Sequence, residues 1–438
     1  MTRILSDELK NQIGQEVLVK GWLHKKRLLG GLTFISIRDR HGLVQIVIEN
    51  KDEVEKLRGM QVGTVLTVSG LVKDEPRAPG GAELHDASIS VDVPVTDEPP
   101  IEIDKPLNHK SEYLDTLFEH RVVGLRNLQE TAIFKVQAAT KEATRKFFAS
   151  QDFTEFNSPK LLPGATEGGA EVFKLDYFGK EATLAQSAQF YKQIMVGVFE
   201  RAYEINPTYR AELSNTTRHM TEFIHIDAEM GFIDFNDLLN LLSNLINSVV
   251  DAVWEGCGDT YLKQVRAVKP ALTADLPRIK LAEVHELYEK ATKDKVVDKK
   301  DLTPAEERWI CEYSAKEFGS EAIFVTDWPA VDMKFYHRAS ADDAEIAERA
   351  DLLFRGIEIS TASMREHRYD KLVEQLVEKT GASADDPGFK YYLQAFKYGL
   401  PPHGGFGMGL ERLTQKIIGL NNVKEATLFP RDINRLNP

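Results

Sequence analysis

The chain has 438 residues, of which 42% are hydrophobic and 28% charged, and its formal net charge is −13. This length is too great for one ordinary domain and favours two or three. No stretch approaches the roughly eighteen apolar residues of a membrane span, and the charged amino-terminal segment lacks the apolar core of a secretion signal. Cys257 and Cys311 are far apart, which excludes a disulfide framework and favours the cytoplasm.

Residues 1–100 predict a small five-stranded β-barrel. Alternating or apolar segments are separated by turn signals at Gly30-Gly31, His41-Gly42 and Pro79-Gly80-Gly81. The oligonucleotide-binding (OB) fold is the commonest barrel of five strands. The acidic net charge alone favours a metabolic enzyme, but a local basic patch can still receive a polyanion; an exposed charged face is the alternative interpretation. The patch comprises Lys20, His24, Lys25, Lys26, Arg27, Arg38 and Arg40.

Residues 101–130 are predicted to form a linker or hinge, because prolines and acidic residues interrupt the strand pattern there. Helical periodicity is clear over residues 133–151. Beyond it, apolar strands and helices mix without the regular alternation of a parallel sheet. We therefore expect an α+β domain over residues 131–438, built on an antiparallel sheet flanked by helices.

The segment YRAELSNTTRHMTEF is the densest in chemically active side chains, with Arg210, Glu212, Arg218 and His219 close together. On a strand, Arg210 and Glu212 would share a face, because they are two residues apart. Such a pair could grip a phosphate and an amino-purine edge together. An exposed ion pair on a strand is the alternative interpretation.

A second segment, PPHGGFGMGLERL over residues 401–413, combines four glycines with a following helix that bears Arg412. Glycines let the backbone approach a flat ligand closely. The segment is neither a phosphate-binding loop nor a dinucleotide fingerprint. A glycine-rich turn before a helix is the alternative.

In this order, the two segments resemble the second and third signature motifs of the class II aminoacyl-tRNA synthetases. The family's first motif, a helix running into a strand closed by proline, resembles RKFFASQDFTEFNSPKLL with Pro159. A barrel followed by a catalytic domain is characteristic of the aspartyl, asparaginyl and lysyl subgroup. The interval from Phe223 to Gly404, between the second and third motifs, is short. In this respect the chain is similar to the compact archaeal type of these enzymes. The resemblance implies a homodimer whose interface includes Pro159.

The resemblance also implies how ATP binds. Arg210 would contact the α-phosphate and offset charge in the transition state, while Glu212 would read the adenine amino group. Arg218 and His219 would reach the β- and γ-phosphates, and Arg412 would cover the adenine and the γ-phosphate. Arg210 and Arg412 are thus expected to be catalytic.

Asp351 and Glu358 match the family's paired magnesium carboxylates, and Glu358 is also expected to contact ATP. Their hard oxygens suit Mg²⁺, which bridges the phosphates as pyrophosphate leaves. Without the motifs, the pair would be interpreted as ordinary surface acids.

Aspartate is the amino acid that the resemblance implies. Lys192 matches the lysine that faces the substrate carboxylate in aspartyl enzymes, where asparaginyl enzymes usually have an acidic residue. Because the two amino acids have nearly the same shape, charge must discriminate them; a buried lysine left unpaired costs roughly 3–5 kcal/mol. Arg365 matches the second cation, although Thr361-Ala362-Ser363-Met364 replaces a segment that commonly has Gly-Gly. The expected pocket comprises Glu167, which would meet the α-ammonium, Ser187, Gln189, Lys192, Arg210, Thr361 and Arg365.

Five barrel residues match the family's anticodon contacts: His24, Arg27, Phe34, Gln45 and Pro79. Phe34 would stack on the central uridine, and Gln45 would read its pairing edge. A barrel-core aromatic is the alternative for Phe34. Histidine and proline at positions 24 and 79 resemble enzymes of relaxed specificity. They imply aspartylation of both tRNA(Asp) and tRNA(Asn), with an amidotransferase completing asparaginyl-tRNA.

Two other functions stay open. An asparaginyl-tRNA synthetase is the nearest alternative. A non-catalytic RNA-binding relative of the synthetases is the second, but such a protein would have no need of the ATP residues Arg210, Glu212 and Arg412.

Overall fold

The structure is a computed structural model that describes residues 2–29, 32–107, 111–164 and 172–438. The chain divides into two compact units, Met1–Thr131 together with Pro438, and Ala132–Asn437. Among the described helices, none is long and apolar enough to cross a membrane.

The first unit is built around a closed barrel. Its strands are β1 (Arg3–Ile4), β2 (Glu16–Leu29), β3 (Leu32–Arg38), β4 (Leu43–Ile48), β5 (Val65–Asp74) and β6 (Ala82–Val93). The order is β1-β2-β3-β4-β6-β5, and a further pairing of β2 with β5 closes the ring of five long strands. The predicted five-stranded barrel is confirmed, with the short β1 added at its margin.

Alternating side chains form the barrel's interior, because successive residues of a strand point to opposite faces. Leu23, Ile35, Ile46 and Leu66 are completely or almost completely buried there. The first helix, α1 (Lys51–Arg58), connects β4 to β5.

Residues 101–130, predicted to be a linker, contain the helices α2 (Ser111–Glu119) and α3 (Arg121–Gly124). The buried guanidinium of Arg121 donates a hydrogen bond to the buried carboxylate of Glu130. The segment predicted to be a linker or hinge therefore contains helical structure.

The second unit contains the remaining elements. Its helices are α4 (Leu128–Ser150), which begins in the first unit, α5 (Gln189–Phe199), α6 (Phe235–Cys257), α7 (Leu281–Thr292), α8 (Pro304–Glu317), α9 (Tyr369–Thr380), α10 (Lys390–Lys397) and α11 (Leu410–Ile418). Its strands are β7 (Thr154–Glu155), β8 (Leu161–Leu162), β9 (Lys174–Tyr177), β10 (Lys180–Leu184), β11 (Arg201–Tyr209), β12 (Glu222–Gly231), β13 (Arg278–Lys280), β14 (Ala322–Pro329), β15 (Ile346–Phe354), β16 (Ile357–Met364) and β17 (His403–Gly409).

Eight of these strands form one sheet in the order β13-β14-β15-β16-β17-β12-β11-β7. The central strands are antiparallel, as predicted, whereas the two outermost pairs, β13 with β14 and β11 with β7, are parallel. Strands β8, β10 and β9 form a separate small sheet.

The central strands bury one face against helices and leave polar groups on the other. On β12, Ile226, Ala228 and Met230 join the main core with apolar side chains of α4 and α6. The intervening residues of β12 point to the opposite face. On β17, Phe406 and Met408 are likewise in the core, while glycines alternate with them. The polar face of β12, β16 and β17 therefore becomes the floor of the site described next.

Candidate active site

A cavity of about 450 Å³ lies over the polar face of the central strands. It brings together side chains that are up to 236 positions apart in the chain, from Ser187 to Val423. The sequence-predicted residues that line it are Ser187, Gln189, Lys192, Arg210, Glu212, Arg218, His219, Glu358, Thr361, Arg365 and Arg412. Asp351 is not among its lining residues, and Glu167 lies outside the described residues.

The glycines of β17 are required by the protein's own packing. A Cβ atom at Gly405 would lie 2.1 Å from Glu229 Oε2, and one at Gly407 would lie 2.4 Å from His225 Cε1. Contacts this short are forbidden by sterics. The glycine-rich pattern, predicted to admit a flat ligand, thus also lets polar side chains of the neighbouring β12 lie across β17.

Lys192 is the most deeply buried cation at one end of the cavity, with 1% of its surface exposed. Its Nζ donates to Asp227 Oδ1 at 2.7 Å and to the Phe406 carbonyl oxygen at 2.8 Å. Burial opposes ionisation of Asp227, but the charges of His225 and Lys192 outweigh it and hold the pKa of that carboxyl far below its usual range. Lys192 and Asp227 therefore form a buried ion pair.

Arg365 forms a second buried pair beside the first. Its guanidinium donates to Glu229 at 2.8 and 3.2 Å, and to the Gly405 carbonyl oxygen at 3.0 Å. Ser363, one of the side chains that depart from the family's glycine pair, accepts a further hydrogen bond from Arg365. The departure therefore leaves Arg365 buried in the cavity and gives its guanidinium one more acceptor.

We refer to this region, where the sequence predicts that the amino acid binds, as the amino-acid end of the cavity; it is lined by Ser187, Gln189, Lys192, His225, Asp227, His337 and Arg365. Two of its buried polar atoms, Gln189 Nε2 and His337 Nδ1, have no hydrogen-bond partner within the part of the chain that the structure describes. Burial and nearby cations hold the pKa of His337 well below its ordinary value, so its imidazole is neutral. Buried polar groups are nearly always hydrogen-bonded, so unpaired ones in a cavity indicate a site for a polar ligand.

The rest of the cavity, where the sequence predicts that ATP binds, is called its nucleotide end; it is lined by Arg210, Glu212, Arg218, His219, Glu358, Glu411 and Arg412. Arg210 and Glu212 follow β11 rather than lying within it, so the expectation of a shared strand face is wrong. Their side chains nevertheless meet, with 3.8 Å between Arg210 Nη1 and Glu212 Oε1. His219 Nε2 lies 3.7 Å from the other oxygen of Glu212. These side chains are about one-third exposed, unlike the buried pairs at the amino-acid end.

Arg218 is held by a residue that the sequence did not suggest. Its guanidinium donates to Glu307 Oε2 at 2.7 Å and to the Gly356 carbonyl oxygen at 3.1 Å. Glu307 lies in the first turn of α8, which Thr303 caps with Pro304 at the first helical position. Arg412 donates to the carbonyl oxygen of Glu358 at 2.9 Å. The arginines of this end are thus oriented by neighbours while their outer faces stay accessible.

Asp351 and Glu358 lie on the adjacent strands β15 and β16. Burial, together with the negative charge of Glu358, raises the pKa of Asp351 to about 6, even though Arg349 is 2.7 Å away. Burial opposes ionisation of Glu358 too, but the charge of Arg412 and a hydrogen bond from Thr361 lower its pKa. Within the described residues, no group of three or more His, Cys, Asp and Glu side chains could hold a metal ion. Mg²⁺ in nucleotide sites commonly uses one or two carboxylates with substrate phosphates, and this pair of mutually repelling carboxylates fits that demand.

In the barrel, the predicted anticodon residues fall into two groups. Phe34 and Gln45 point outward from adjacent strands, half-buried, and the exposed Arg27 lies opposite Phe34 in the register of β2 and β3. The Gln45 amide donates to Glu83 Oε2 at 2.7 Å. Pro79 is exposed, whereas His24 is 9% exposed, and burial lowers the pKa of its imidazole.

One residue of the predicted basic patch serves the fold instead. The Lys26 ammonium donates to the carbonyl oxygens of Leu57, Arg58 and Met60 at 3.0, 3.1 and 2.6 Å. These carbonyl oxygens lie at the carboxyl-terminal end of α1. The last carbonyls of a helix have no partner within the helix, and the negative end of the helix dipole favours a cation there. Lys26 is therefore a cap for α1.

The predictions missed His225, Asp227 and Glu229, although a signal was present. In the segment HIDAEM, titratable residues occupy every second position and apolar ones the positions between them. That alternation is typical of a strand with one face in the core and a charged opposite face. Glu307 had no such signal, because only the packing of α8 brings it to Arg218.

The chain is similar to known proteins over its whole length. Residues 113–433 match the family model described as tRNA synthetases class II (D, K and N), and residues 17–92 match the OB-fold nucleic acid binding domain. The aspartate–tRNA(Asp/Asn) ligase of Thermus thermophilus is 41% identical, with both chains covered completely. The aspartate–tRNA(Asp) ligase of Pyrococcus abyssi is 38% identical over 99% of each chain.

A solved structure agrees with these relationships. Asparaginyl-tRNA synthetase from Pyrococcus horikoshii, complexed with asparaginyl-adenylate, superimposes with a TM-score of 0.89 at 30% identity and full coverage of both chains. The cavity residues lie within residues 113–433, and most of the barrel lies within residues 17–92. The chain therefore belongs to the class II tRNA synthetases of the D, K and N group.

Proposed function

We propose that the protein activates L-aspartate with ATP, forming aspartyl-adenylate, and transfers the aspartyl group to tRNA(Asp) and tRNA(Asn). The observation that best supports the amino acid is the pair of buried cations, Lys192 and Arg365, in one cavity with the predicted ATP residues. Buried cations suit a carboxylate substrate, since a neutral amide would gain less from them. The names of the curated relatives support the same assignment.

At the nucleotide end, the chain's own residues suffice to orient a triphosphate. Arg210, 5.5 Å from the ring of Phe223, would offset charge that develops at the α-phosphate as the aspartate carboxylate attacks. Glu212 would accept a hydrogen bond from the adenine amino group. Arg218 and His219 would bind the outer phosphates, and Arg412 would cover the base and the γ-phosphate.

At the amino-acid end, Lys192 and Arg365 would bind the substrate's side-chain carboxylate. The unpaired Gln189 amide and the neighbouring Ser187, Thr361 and Arg210 would hold its backbone groups. Glu167, assigned by resemblance, would receive the α-ammonium.

Enzymes of this class use ATP with a divalent metal, and we propose Mg²⁺ held by Asp351 and Glu358. When bound, the ion offsets the negative charge of the phosphates. Protonation of Asp351, whose pKa is about 6, would weaken this site in mild acid. The dependence of activity on Mg²⁺ in the Asp351→Asn variant tests the assignment: an unchanged Mg²⁺ requirement would contradict it.

The amino acid is tested by ATP–pyrophosphate exchange. We expect exchange with aspartate and little with asparagine. The asparaginyl-tRNA synthetase from P. horikoshii makes asparagine the alternative to exclude. Exchange driven by asparagine alone would overturn the proposal, and the absence of exchange with either would favour a non-catalytic RNA-binding protein.

The tRNA range rests on the barrel. We propose that Phe34, Gln45 and Arg27 bind the anticodon, and that His24 and Pro79 permit both anticodons. Purified tRNA(Asp) and tRNA(Asn) should both be charged with labelled aspartate. Charging of tRNA(Asp) alone would contradict the relaxed specificity and leave aspartate activation intact.

We further propose a homodimer with Pro159, which is exposed in the single chain, at its interface. Sedimentation of the purified protein tests this, and a monomer at assay concentration would contradict it. A tRNA-dependent amidotransferase would convert the aspartyl-tRNA(Asn) product. We expect the protein to work in the cytoplasm, where these tRNAs are charged.

A further inference from the structure

A segment rich in lysine lies between α7 and α8 in the second unit. Residues 290–301, the last turn of α7 and the connection that follows it, contain five lysines and three aspartates. All five lysines are exposed. We call this segment the lysine loop, and its lysines are Lys290, Lys293, Lys295, Lys299 and Lys300. In a chain with a net charge of −13, such a concentration of exposed ammonium groups requires an explanation.

Two of the aspartates in the lysine loop stabilise its own backbone. Asp298 Oδ1 accepts a hydrogen bond from the Lys300 amide at 2.8 Å, and Asp301 Oδ1 accepts one from the Leu302 amide at 2.8 Å. Aspartate side chains commonly bond to nearby backbone amides in this way and so stabilise turns. These carboxylates therefore shape the loop, and they pair with backbone amides in addition to facing the solvent.

The ammonium groups of the lysine loop are used differently. Within the described residues, those of Lys290, Lys295 and Lys299 form no hydrogen bond or ion pair. The ammonium of Lys293 donates to a carbonyl oxygen, that of Lys290, at 3.0 Å. Several solvated cations on one loop produce a local positive potential, whatever the net charge of the chain. The loop therefore offers positive charge to an anion from outside the chain.

The lysine loop adjoins the cavity of the candidate active site. Lys300 Nζ lies 3.3 Å from Asp332 Oδ2, and Asp332 lines the cavity. Burial opposes ionisation of Arg349, another lining residue, but the charges of nearby carboxylates, Asp301 among them, raise its pKa. Two residues at the end of the loop thus interact with two residues of the cavity lining. The loop therefore lies at the rim of the proposed site of aminoacyl transfer.

The helices on either side hold the lysine loop in place. Val284 of α7 and Ile310 of α8 are completely buried in one core. Trp309 stacks on Tyr313 with 5.2 Å between ring centroids, and Tyr288 meets Trp309 edge to face at 5.7 Å. Because the two ends of the loop are fixed by this packing, less conformational freedom is lost when the loop binds a partner.

We propose that the lysine loop binds the phosphate backbone of the tRNA acceptor arm as the 3′ end of the tRNA enters the cavity. This inference rests on the proposed function, because aminoacyl transfer is what brings a tRNA end to this rim. Lysines suit a phosphate chain, since each ammonium is a point charge that releases a condensed counterion. Contacts to phosphates position a nucleic acid without reading its sequence. The loop therefore serves tRNA(Asp) and tRNA(Asn) equally.

The test is tRNA binding by the full-length protein with Lys295→Gln and Lys299→Gln together. We expect the Kd for both tRNAs to rise about tenfold to thirtyfold at roughly 0.1 M salt, and the slope of log Kd against log salt to fall by about two. Lys295→Arg with Lys299→Arg should bind like the wild type, because a phosphate accepts either cation. ATP–pyrophosphate exchange, measured without tRNA, reports whether the cavity of each variant is intact.

A matched control removes the same charge from another surface. Lys263 and Lys269 are exposed and follow α6, which packs against the face of the sheet opposite the cavity. Their double glutamine variant should bind both tRNAs like the wild type. Alkylation of tRNA phosphates locates the contact: the wild type should shield phosphates of the acceptor arm. The glutamine variant of the lysine loop should leave these phosphates reactive while the anticodon arm stays shielded.

Normal tRNA binding by the loop variant, or equal weakening by the control, would overturn the inference, since the loop would then contribute no more than any other surface charge. Weakened binding of only one of the two tRNAs would contradict a contact to the backbone. Restored reactivity in the anticodon arm alone would exclude the acceptor arm as the partner. A wild type that charges no tRNA would overturn the proposed function, whereas normal charging with unaltered variants would leave that function standing.

Discussion

The two ends of the cavity use positive charge in different ways. At the amino-acid end, Lys192 and Arg365 are 1% and 3% exposed and are paired with buried carboxylates. At the nucleotide end, the side chains of Arg210 and Arg412 are 32% and 29% exposed, and their ion-pair distances are 3.8 and 3.4 Å.

This difference fits the two tasks that we propose for the two ends. Choosing between aspartate and asparagine requires a rigid, desolvated charge, because only burial makes a missing partner costly. Binding and releasing ATP and pyrophosphate requires cations that can exchange partners with water and phosphate. A buried pair favours selectivity, and an accessible arginine favours turnover.

The largest expected effect is at the nucleotide end. Arg412→Gln should reduce ATP–pyrophosphate exchange about a hundredfold to a thousandfold, because a charge that stabilises the transition state is lost. Binding of tRNA, measured by filter retention, should be unchanged. Arg278→Gln, which removes a guanidinium bonded to Asn236 and Asn240 outside the cavity lining, should exchange normally. Normal exchange by the Arg412 variant would remove its assigned role.

Breaking a buried pair should cost both selectivity and stability. Lys192→Met leaves Asp227 buried without its ammonium partner, which we expect to lower the free energy of unfolding by about 3 kcal/mol and to raise the KM for aspartate about a hundredfold. Adding Asp227→Asn should restore much of the stability, but not the KM. Denaturant unfolding and exchange kinetics measure the two effects. Equal recovery of both would mean that Lys192 has only a structural role.

The contact of Arg218 with Glu307 tests whether accessible arginines exchange partners. Glu307→Gln keeps an acceptor but removes a carboxylate that competes with the phosphates, so the KM for ATP should fall about threefold to tenfold with kcat little changed. Glu312→Gln, an exposed position on the same helix, is the control. A rise in the KM for ATP would show that Glu307 positions Arg218 rather than competing for it.

The smallest effect concerns a buried carboxyl of the nucleotide end, Glu411, and appears in stability. Burial raises the pKa of Glu411 to about 8, whereas the positive charges of His225 and Lys192 lower the pKa of Asp227. Glu411 ionises near pH 4.5 when unfolded, so its contribution is complete below that pH and is lost as pH rises through about 8.

The melting temperature checks this sign. Relative to Glu411→Gln, which resembles the protonated form, the wild type should lose a few degrees of Tm between about pH 5 and pH 8. A difference that does not change with pH would mean that Glu411 is ionised in the fold.

Much of the fold and of the nucleotide end could be predicted from local pattern. The barrel follows from strand alternation, and the helix predicted at residues 133–151 lies almost entirely within α4. The predicted arginines line one cavity, because the motif segments flank adjacent strands β11, β12 and β17. The strand assignment of Arg210 and Glu212 was wrong, because β11 ends at Tyr209, one residue before Arg210. Both residues lie in the loop that follows β11.

The sequence by itself determined the class of protein, because the glycines, arginines and carboxylates of the family's motifs can be recognised by their spacing without knowledge of their contacts. It also determined which face of β12 is charged, through the alternation of His225, Asp227 and Glu229 with apolar residues. Only the tertiary structure decided that Lys192 meets Asp227, that Arg365 meets Glu229 and Ser363, and that Lys26 caps a helix. The physical reason is that periodicity assigns a side chain to a face, whereas its partner depends on how distant elements pack against that face.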